Sequence, residues 1–274
     1  MISIATAQSP ITVNVRENGR SIRDLMQRAR ERNARLVHFS EGALSGYAKS
    51  EVNDWRSFDW PAIREELAAI AASAGELGLW VVIGCAHRLS GQNRPHNSLY
   101  VISDTGALID RYDKRFCSNN EINNWYSPGF DPLVFSVDGF TFGCALCIEV
   151  AFPEVFSEYE RSGVDCVLFS AYSSDPIYGT MLQGHASVNN IWISLSTPAQ
   201  CSAKLASGLI GPDGVFSARC EANGQAGFSV GQLDRSRYEI SLTKARPWRA
   251  IARQGRIYSS RRVVDHRSAS KTEF

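Results

Sequence analysis

The sequence predicts an α/β protein, a four-layer α-β-β-α sandwich, and three observations lead to this fold class. The same order of strand, helix, strand, helix, strand and hairpin occurs twice along the chain, which indicates an internal duplication. Strand-length apolar segments such as LWVVIGC are typical of strands buried on both faces. Because the two helices of each copy cover one face of its sheet, we expect the two uncovered apolar faces to pack together.

The first copy occupies roughly the first 112 residues. Its strands are predicted at residues 2–7, 36–39 and 79–85. Ile22, Leu25, Met26 and Ala29 recur at helical spacing and predict a helix that stops near Asn33; a second, Ala-rich helix is predicted at 61–77. Segments 97–103 and 107–112 flank Asp104-Thr105-Gly106, a sequence typical of a β-hairpin turn.

The second copy repeats this order. We predict strands at 141–146, 164–170 and 191–197, helices at 155–161 and 181–190, and a hairpin at 208–210 and 215–219. After residue 234 the pattern weakens, and residues 261–274 are polar and charged. We therefore expect a single domain over residues 1–274, with a C-terminal arm at about 261–274 that either wraps a partner subunit or is frayed.

Composition and charge limit the partners and the compartment. The chain has 29 basic and 28 acidic residues, so nucleic acid and anionic membranes are not expected as partners, and a small-molecule substrate fits better. Its seven cysteines are scattered, several of them in apolar runs, unlike the disulfide framework of a small secreted protein. The chain opens with a strand-like run instead of a signal segment, and no apolar stretch is long enough to span a membrane. We expect a soluble, cytoplasmic protein.

Three reactive residues follow predicted strands: Glu41, Lys114 and Cys147. Ligands of parallel sheets bind at the carboxyl ends of strands, so we expect these side chains to converge. Cys147 could attack an electron-poor carbon, with Glu41 as general base and Lys114 lowering the thiol pKa and stabilising an oxyanion. Taken singly, Cys147 could be a small core residue, and Glu41 and Lys114 could be surface charges. All three are less expected to lie at strand ends by chance than any one of them alone.

The segments around these residues, FSEGALSGY, RYDKRFCSNNE and GCALCIEVAFPE, resemble the three catalytic signatures of the nitrilase superfamily, the carbon–nitrogen hydrolases. The resemblance implies the duplicated α-β-β-α fold and assigns the base to Glu41, the oxyanion-stabilising lysine to Lys114 and the nucleophile to Cys147. It also implies that Glu121 lines the site as a second glutamate.

Further residues are expected around the substrate. Tyr47 matches a glycine-tyrosine pair of the family, and Ile148-Glu149 stands where an aromatic-acid pair is frequent. We expect a backbone N–H near Ile148 to help hold the oxyanion. Trp125 and Tyr172 follow elements that end on the same side as the reactive residues, so they are candidate pocket residues, although aromatic side chains are more often part of a core.

The sequence thus predicts an amidase-like thiol hydrolase that cleaves a non-peptide C–N bond of a small carboxamide through a cysteine thioester. An N-carbamoyl hydrolase or a nitrilase with the same triad stays an alternative, as does a catalytically silent binding protein. No metal or cofactor is expected: Cys144 and Cys147 form a C-x-x-C pair, but strand positions three apart point to opposite faces and the histidines show no metal spacing. From the family we expect a homodimer or higher homo-oligomer.

Overall fold

The computed structural model describes residues 1–272, and its first 234 residues form one compact unit with two six-stranded sheets. The first sheet contains β1 (Ile2–Gln8), β2 (Leu36–His38), β3 (Trp80–His87), β4 (His96–Ile102), β5 (Leu108–Asp113) and β12 (Gly227–Leu233). The second contains β6 (Val134–Val137), β7 (Phe140–Leu146), β8 (Cys166–Ser170), β9 (Trp192–Ser196), β10 (Gly208–Ile210) and β11 (Phe216–Arg219). The helices of this unit are α1 (Val15–Glu31), α2 (Trp60–Leu77), α3 (Pro153–Arg161) and α4 (Ile177–Asn189).

The two sheets share one topology. In the first, β1, β2 and β3 are parallel and β4 and β5 continue antiparallel. In the second, β7, β8 and β9 are parallel and β10 and β11 continue antiparallel. The predicted duplication and fold class are therefore confirmed. Each sheet also carries an additional edge strand that we did not predict, because β12 pairs with β1 and β6 pairs with β7, both antiparallel.

Local sequence accounts for the ends of the helices in the first copy. Asn14 caps α1 by accepting hydrogen bonds from the second and third residues after it, and Asp59 caps α2 by accepting one from the third residue after it. Pro61 lies in the first turn of α2, where its missing N–H costs nothing, and Gly78 ends that helix in the left-handed conformation. Helix α2 thus begins and ends within one residue of its predicted bounds, and α1 ends within two residues of its predicted stop at Asn33.

The layers are held by two apolar cores and by contacts between the sheets. One core lies between the first sheet and helices α1 and α2, and the other between the second sheet and helices α3 and α4. Between the sheets, Thr6 Oγ1 on β1 lies 2.7 Å from Ser194 Oγ on β9. The hydroxyl of Ser196 on the same strand donates to the Ala7 carbonyl at 2.6 Å. The parallel strands of the two sheets therefore face each other across the centre of the sandwich.

The residues from Arg235 onward form a second compact unit. Its α-helices are α5 (Arg246–Arg253), α6 (Arg256–Ser259) and α7 (His266–Ala269). Of the predicted arm, residues 261–272 are almost all exposed, and residues 273–274 lie outside the described residues. The single-domain prediction and the role of the arm stay predictions. Across residues 1–272, none of the helices has both the length and the apolar composition that a bilayer crossing requires.

Candidate active site

Glu41 and Lys114 meet at a buried ion pair. Glu41 lies three residues beyond β2 and Lys114 follows β5 directly. Lys114 Nζ donates to Glu41 Oε1 at 3.0 Å and to the two carboxylate oxygens of Glu121 at 2.8 and 2.9 Å. Exposure of these side chains is 0% for Lys114 and Glu41 and 2% for Glu121. The structure therefore brings two predicted catalytic residues and the predicted second glutamate into direct contact.

The Glu41 carboxylate is held on both oxygens. Oε1 accepts from Asn97 Nδ2 at 2.8 Å, and Oε2 accepts from the backbone N–H of Tyr172 at 2.7 Å. The turn that carries Glu41 packs tightly on β3, because a Cβ added to Gly84 would lie 2.1 Å from the Ser40 carbonyl oxygen. Glycine is required at position 84 for this close approach of two backbones. The carboxylate consequently has a fixed place and orientation.

Glu121 begins a single π-helical turn, Glu121–Trp125, and accepts three further hydrogen bonds. The backbone N–H of Ser118 donates to it at 2.8 Å, the hydroxyl of Tyr47 at 3.0 Å and Asn97 Nδ2 at 3.3 Å. Burial is the largest effect on the pKa of Glu121 and would raise it, but Lys114 and the hydrogen bonds from Ser118 together hold that pKa below its usual value. Burial likewise would lower the pKa of Lys114, whereas the charges around it, Glu41 first, raise it well above its usual value. The ammonium stays charged at neutral pH.

Cys147 follows β7 at the start of a short 3₁₀ turn, Cys147–Ala151, and has a left-handed backbone with φ of 49°. This conformation costs a residue other than glycine about 1–3 kcal/mol, and such strain is frequent at functional positions. Its Sγ lies 3.7 Å from the hydroxyl oxygen of Tyr178, and the residue is 9% exposed. The backbone thus holds a nearly buried thiol at the carboxyl end of a central strand.

The thiol is protonated at rest. Burial raises the pKa of Cys147 well above its usual value, and the negative charge of Glu41 adds to that effect. Lys114 lowers the pKa as predicted, but the lowering is smaller than the first two effects. The predicted lowering by Lys114 is therefore present, while the pKa of the thiol as a whole lies above its usual value. Because the charges of Glu41 and Lys114 both act on the pKa of Cys147, the predicted nucleophile lies within electrostatic reach of that pair.

Glu149 joins the segment of Cys147 to that of Lys114. Its fully buried carboxylate accepts hydrogen bonds from residues on both segments and from β5: Leu146 N at 2.7 Å, Arg115 N at 2.8 Å, Phe116 N at 3.1 Å and Tyr112 Oη at 2.7 and 2.8 Å. Burial raises the pKa of Glu149, and these donors oppose that shift. Glu149 is thus a brace between the two segments.

The other predicted pocket residues are spread more widely. Tyr47 and Tyr172 stack with ring centroids 5.0 Å apart, next to Glu121 and Glu41 respectively. Ile148 follows Cys147 in the short turn and is half-buried. Trp125 lines an open cleft of about 860 Å³, together with Trp55 and Trp60. Within the described residues, no group of three or more His, Cys, Asp or Glu side chains could hold a metal ion.

The geometry fits a known family. The family model described as carbon-nitrogen hydrolase matches residues 3–240. The chain belongs to this family. The resemblance seen in the three motifs is thereby confirmed, and the protein is an enzyme that hydrolyses carbon–nitrogen bonds.

This hydrolase has solved structural neighbours and a distant curated relative. A variant of the amidase from Nesterenkonia sp. AN1, with acrylamide added at its active-site cysteine, matches with a TM-score of 0.77 and 20% identity over 85% of this chain and 94% of that chain. Another variant of that amidase, in complex with butyramide, matches with a TM-score of 0.76 and 20% identity over 85% of this chain and 90% of that chain. At these identities the likeness shows the fold. The glutamine-dependent NAD(+) synthetase of Acinetobacter baylyi is 25% identical over 170 residues, 60% of this chain and 30% of the synthetase, so the hydrolase spans less than a third of that relative.

Two side chains of the hydrolase site were missed by sequence reasoning. Asn97 touches Glu41, and Tyr178 touches Cys147. Asn97 is a buried amide near the start of a fully buried strand, where asparagine is unfavourable, and that mismatch was an available signal. Tyr178, near the start of α4, carries no comparable signal, since a tyrosine beside a turn is common.

Proposed function

We propose that this carbon–nitrogen hydrolase is an amidase that cleaves a small carboxamide through a thioester on Cys147. The observation that carries the proposal is the buried cluster of Glu41, Lys114 and Glu121 beside a nearly buried thiol on strained backbone. The structural neighbours from Nesterenkonia sp. AN1 support the amide substrate, because one has acrylamide at its active-site cysteine and another is in complex with butyramide.

In the proposed acylation step, the Cys147 sulfur attacks the amide carbon and Glu41 takes the thiol proton. Lys114 and a backbone N–H at Ile148 stabilise the oxyanion that forms on the amide oxygen. Glu41 then gives its proton to the leaving nitrogen, the C–N bond breaks, and ammonia or an amine departs. Water next attacks the thioester carbon with Glu41 as base, and the C–S bond breaks to release the carboxylic acid and the thiol.

Electrostatics favours Glu41 over Glu121 as the base. The charge of Glu41 affects the Cys147 thiol more strongly than that of Glu121 does, which supports placing Glu41 nearer to the sulfur. Glu121 instead binds Lys114 with both carboxylate oxygens and keeps that ammonium in place. We therefore propose that Glu41 transfers the proton and that Glu121 holds Lys114 in place.

The test is ammonia release from small amides, ureido acids and nitriles, starting with butyramide, by the wild type and Cys147→Ala. We expect turnover of an amide by the wild type, none by the variant, and an acyl adduct on Cys147 in the intact mass. Turnover confined to ureido acids or to nitriles would assign the enzyme to the carbamoylase or nitrilase alternative. Equal turnover by both proteins would refute Cys147 as the nucleophile, and an unreactive Cys147 without turnover would favour a silent binding protein.

We further propose that the working form is a cytoplasmic homodimer or larger homo-oligomer. Helix α5 supports association, since Trp248 and Ile251 on this helix are 56% and 51% exposed. The seven free cysteines are consistent with a reducing compartment. Light scattering after size-exclusion chromatography should give a multiple of the 30.3 kDa chain mass, and a mass of one chain would refute association. Cell fractionation tests the compartment.

A further inference from the structure

A chain of hydrogen bonds crosses the interface between the two sheets beneath Glu41. Thr6 Oγ1 lies 2.7 Å from Ser194 Oγ, and Ser194 Oγ lies 2.9 Å from His38 Nδ1. On the other side of the imidazole, His38 Nε2 lies 2.8 Å from Ser170 Oγ, whose hydroxyl donates to the Phe39 carbonyl at 2.8 Å. All five residues are 0% exposed. The series of hydrogen bonds alternates between the sheets. Thr6, His38 and Phe39 belong to the first sheet or its continuation, and the two serines belong to the second.

The last bond and the neutral state of the imidazole together fix the direction of the other bonds. Ser170 has one hydroxyl proton, which it gives to the carbonyl, so it must accept the proton of His38 Nε2. The imidazole is therefore protonated on Nε2, and its Nδ1 accepts the hydroxyl proton of Ser194, which in turn accepts from Thr6. Each proton in this series of hydrogen bonds is used once, and each polar group in the series has a partner. Burial lowers the pKa of His38 to about 3, so the imidazole stays neutral at physiological pH.

Both residues of the His38–Ser170 contact are connected to Glu41 through nearby backbone. Phe39, whose carbonyl accepts the final bond, lies two residues before Glu41 in the chain. Ser170 lies two residues before Tyr172, whose backbone N–H donates to Glu41 Oε2 at 2.7 Å. The bonds thus tie the end of β2, which carries Glu41, to the end of β8, which carries the donor that orients its carboxylate.

We propose that His38 and Ser170 are positioning residues, which keep these two strand ends in register and so hold the Glu41 carboxylate at the thiol of Cys147. The inference rests on the proposed role of Glu41 as the base. Without the chain of bonds, the two strand ends can shift relative to each other across the sheet interface. A misplacement of about 1 Å in a catalytic group can cost on the order of 10²-fold in rate, so even a partial shift should be measurable.

Ser170→Ala is the test and Ser196→Ala is its matched control. The two serines are register partners on β8 and β9, both are 0% exposed, and each donates to a carbonyl of the opposite sheet. The control bond goes to Ala7 on β1 and not to the segment that leads directly into Glu41. Ser170→Ala also removes the contact with His38, so its stability should fall further than that of the control, and the kcat values are compared at a temperature at which both variants are folded. We expect Ser170→Ala to lower kcat about 10-fold or more with little change in KM, and Ser196→Ala to keep kcat within about 2-fold. Equal kcat values in two folded variants would overturn the positioning role.

Two further measurements distinguish failure of this inference from failure of the proposed function. Long-range ¹H–¹⁵N NMR on the wild type should show His38 neutral and protonated on Nε2 at pH 6–8; an Nδ1–H tautomer or an imidazolium would overturn the hydrogen-bond chain, even if Ser170→Ala fails to fold. Glu41→Gln should abolish turnover. If it does and the two serine variants are equal, the inference fails while the proposed function stands, whereas wild-type turnover by Glu41→Gln would refute the base and the positioning role together.

Discussion

Replacing Gly84 by alanine would test how far the rate depends on the placement of the Glu41 backbone. Gly84 lies in β3 against the turn that carries Glu41. An added Cβ would lie 2.1 Å from the Ser40 carbonyl oxygen, 2.7 Å from the Gly42 nitrogen and 2.9 Å from Glu41 Cα. To restore even a tight separation of 3.0 Å, the carbonyl must retreat by about 0.9 Å, and the obstacle is backbone that cannot rotate away.

The expected losses of activity and stability follow from this displacement. The Glu41 carboxylate would move with its backbone, away from hydrogen bonds of 3.0 Å to Lys114 and 2.7 Å to the Tyr172 N–H. A shift of about 1 Å at a catalytic group is expected to lower kcat on the order of 10²-fold. The overpacking should also destabilise the fold by about 1–3 kcal/mol, which leaves a typical domain folded at 25 °C.

The measurement is kcat and KM on the best amide substrate, together with thermal unfolding by circular dichroism. Gly227→Ala in β12 is the control, because its added Cβ would have no atom within 4 Å and the residue is also a strand glycine. We expect the control to keep its activity. A folded Gly84→Ala protein with kcat within about 2-fold of the wild type would show that the Glu41 turn moves without a catalytic penalty, and would refute the reasoning.

Three further predictions concern the thiol and its supports. Tyr178→Phe removes a hydrogen bond that lowers the Cys147 pKa, so alkylation of Cys147 by iodoacetamide at pH 8, followed by intact mass, should be slower; an unchanged rate would contradict this contact. In the wild type, the alkylation rate of Cys147 should keep rising from pH 7 to pH 10, because the thiol pKa is raised by burial and the thiolate forms only at high pH; a plateau below pH 8 would contradict a resting thiol. In Glu149→Gln the side-chain NH₂ group faces a backbone N–H that has lost its acceptor. The free energy of unfolding, measured in urea, should therefore fall by about 1–3 kcal/mol, and an unchanged value would refute the role of Glu149 as a brace.

Most of the fold follows from the sequence because both copies bury continuous apolar strands beneath amphipathic helices. The edge strands β6 and β12 were missed for a physical reason. β6 is four residues long and alternates between exposed and buried positions, and β12 contains two glycines and is largely half-buried. A strand this short, or one interrupted by glycines, gives little signal in the sequence, and the pairing of these strands with β7 and β1 is decided by backbone hydrogen bonds. For β12 the partner lies more than 200 residues away in the chain.

For the site, sequence identifies ionisable groups but not the neutral groups that orient them. Glu41, Lys114 and Cys147 could be found because three reactive side chains together at the ends of predicted strands are an unusual combination and because three motifs surround them. The contact of Asn97 with Glu41 depends on the order of strands within the first sheet, and the contact of His38 with Ser194 depends on which strand of the second sheet lies opposite. That information arises from the pairing and packing of distant segments, and a single sequence does not contain it in a local pattern.

The charge balance of the site explains why two glutamates accompany one lysine. At rest, the carboxylates of Glu41 and Glu121, the ammonium of Lys114 and the neutral thiol of Cys147 carry a net charge of −1. In the proposed acylation step Glu41 becomes neutral as it takes the proton, and the new negative charge appears on the amide oxygen beside Lys114, so the net charge remains −1. Glu121 keeps its charge throughout and holds the lysine ammonium in its charged form. The reaction therefore moves a charge within a buried site without creating one, which avoids the large cost of an additional uncompensated charge at low dielectric.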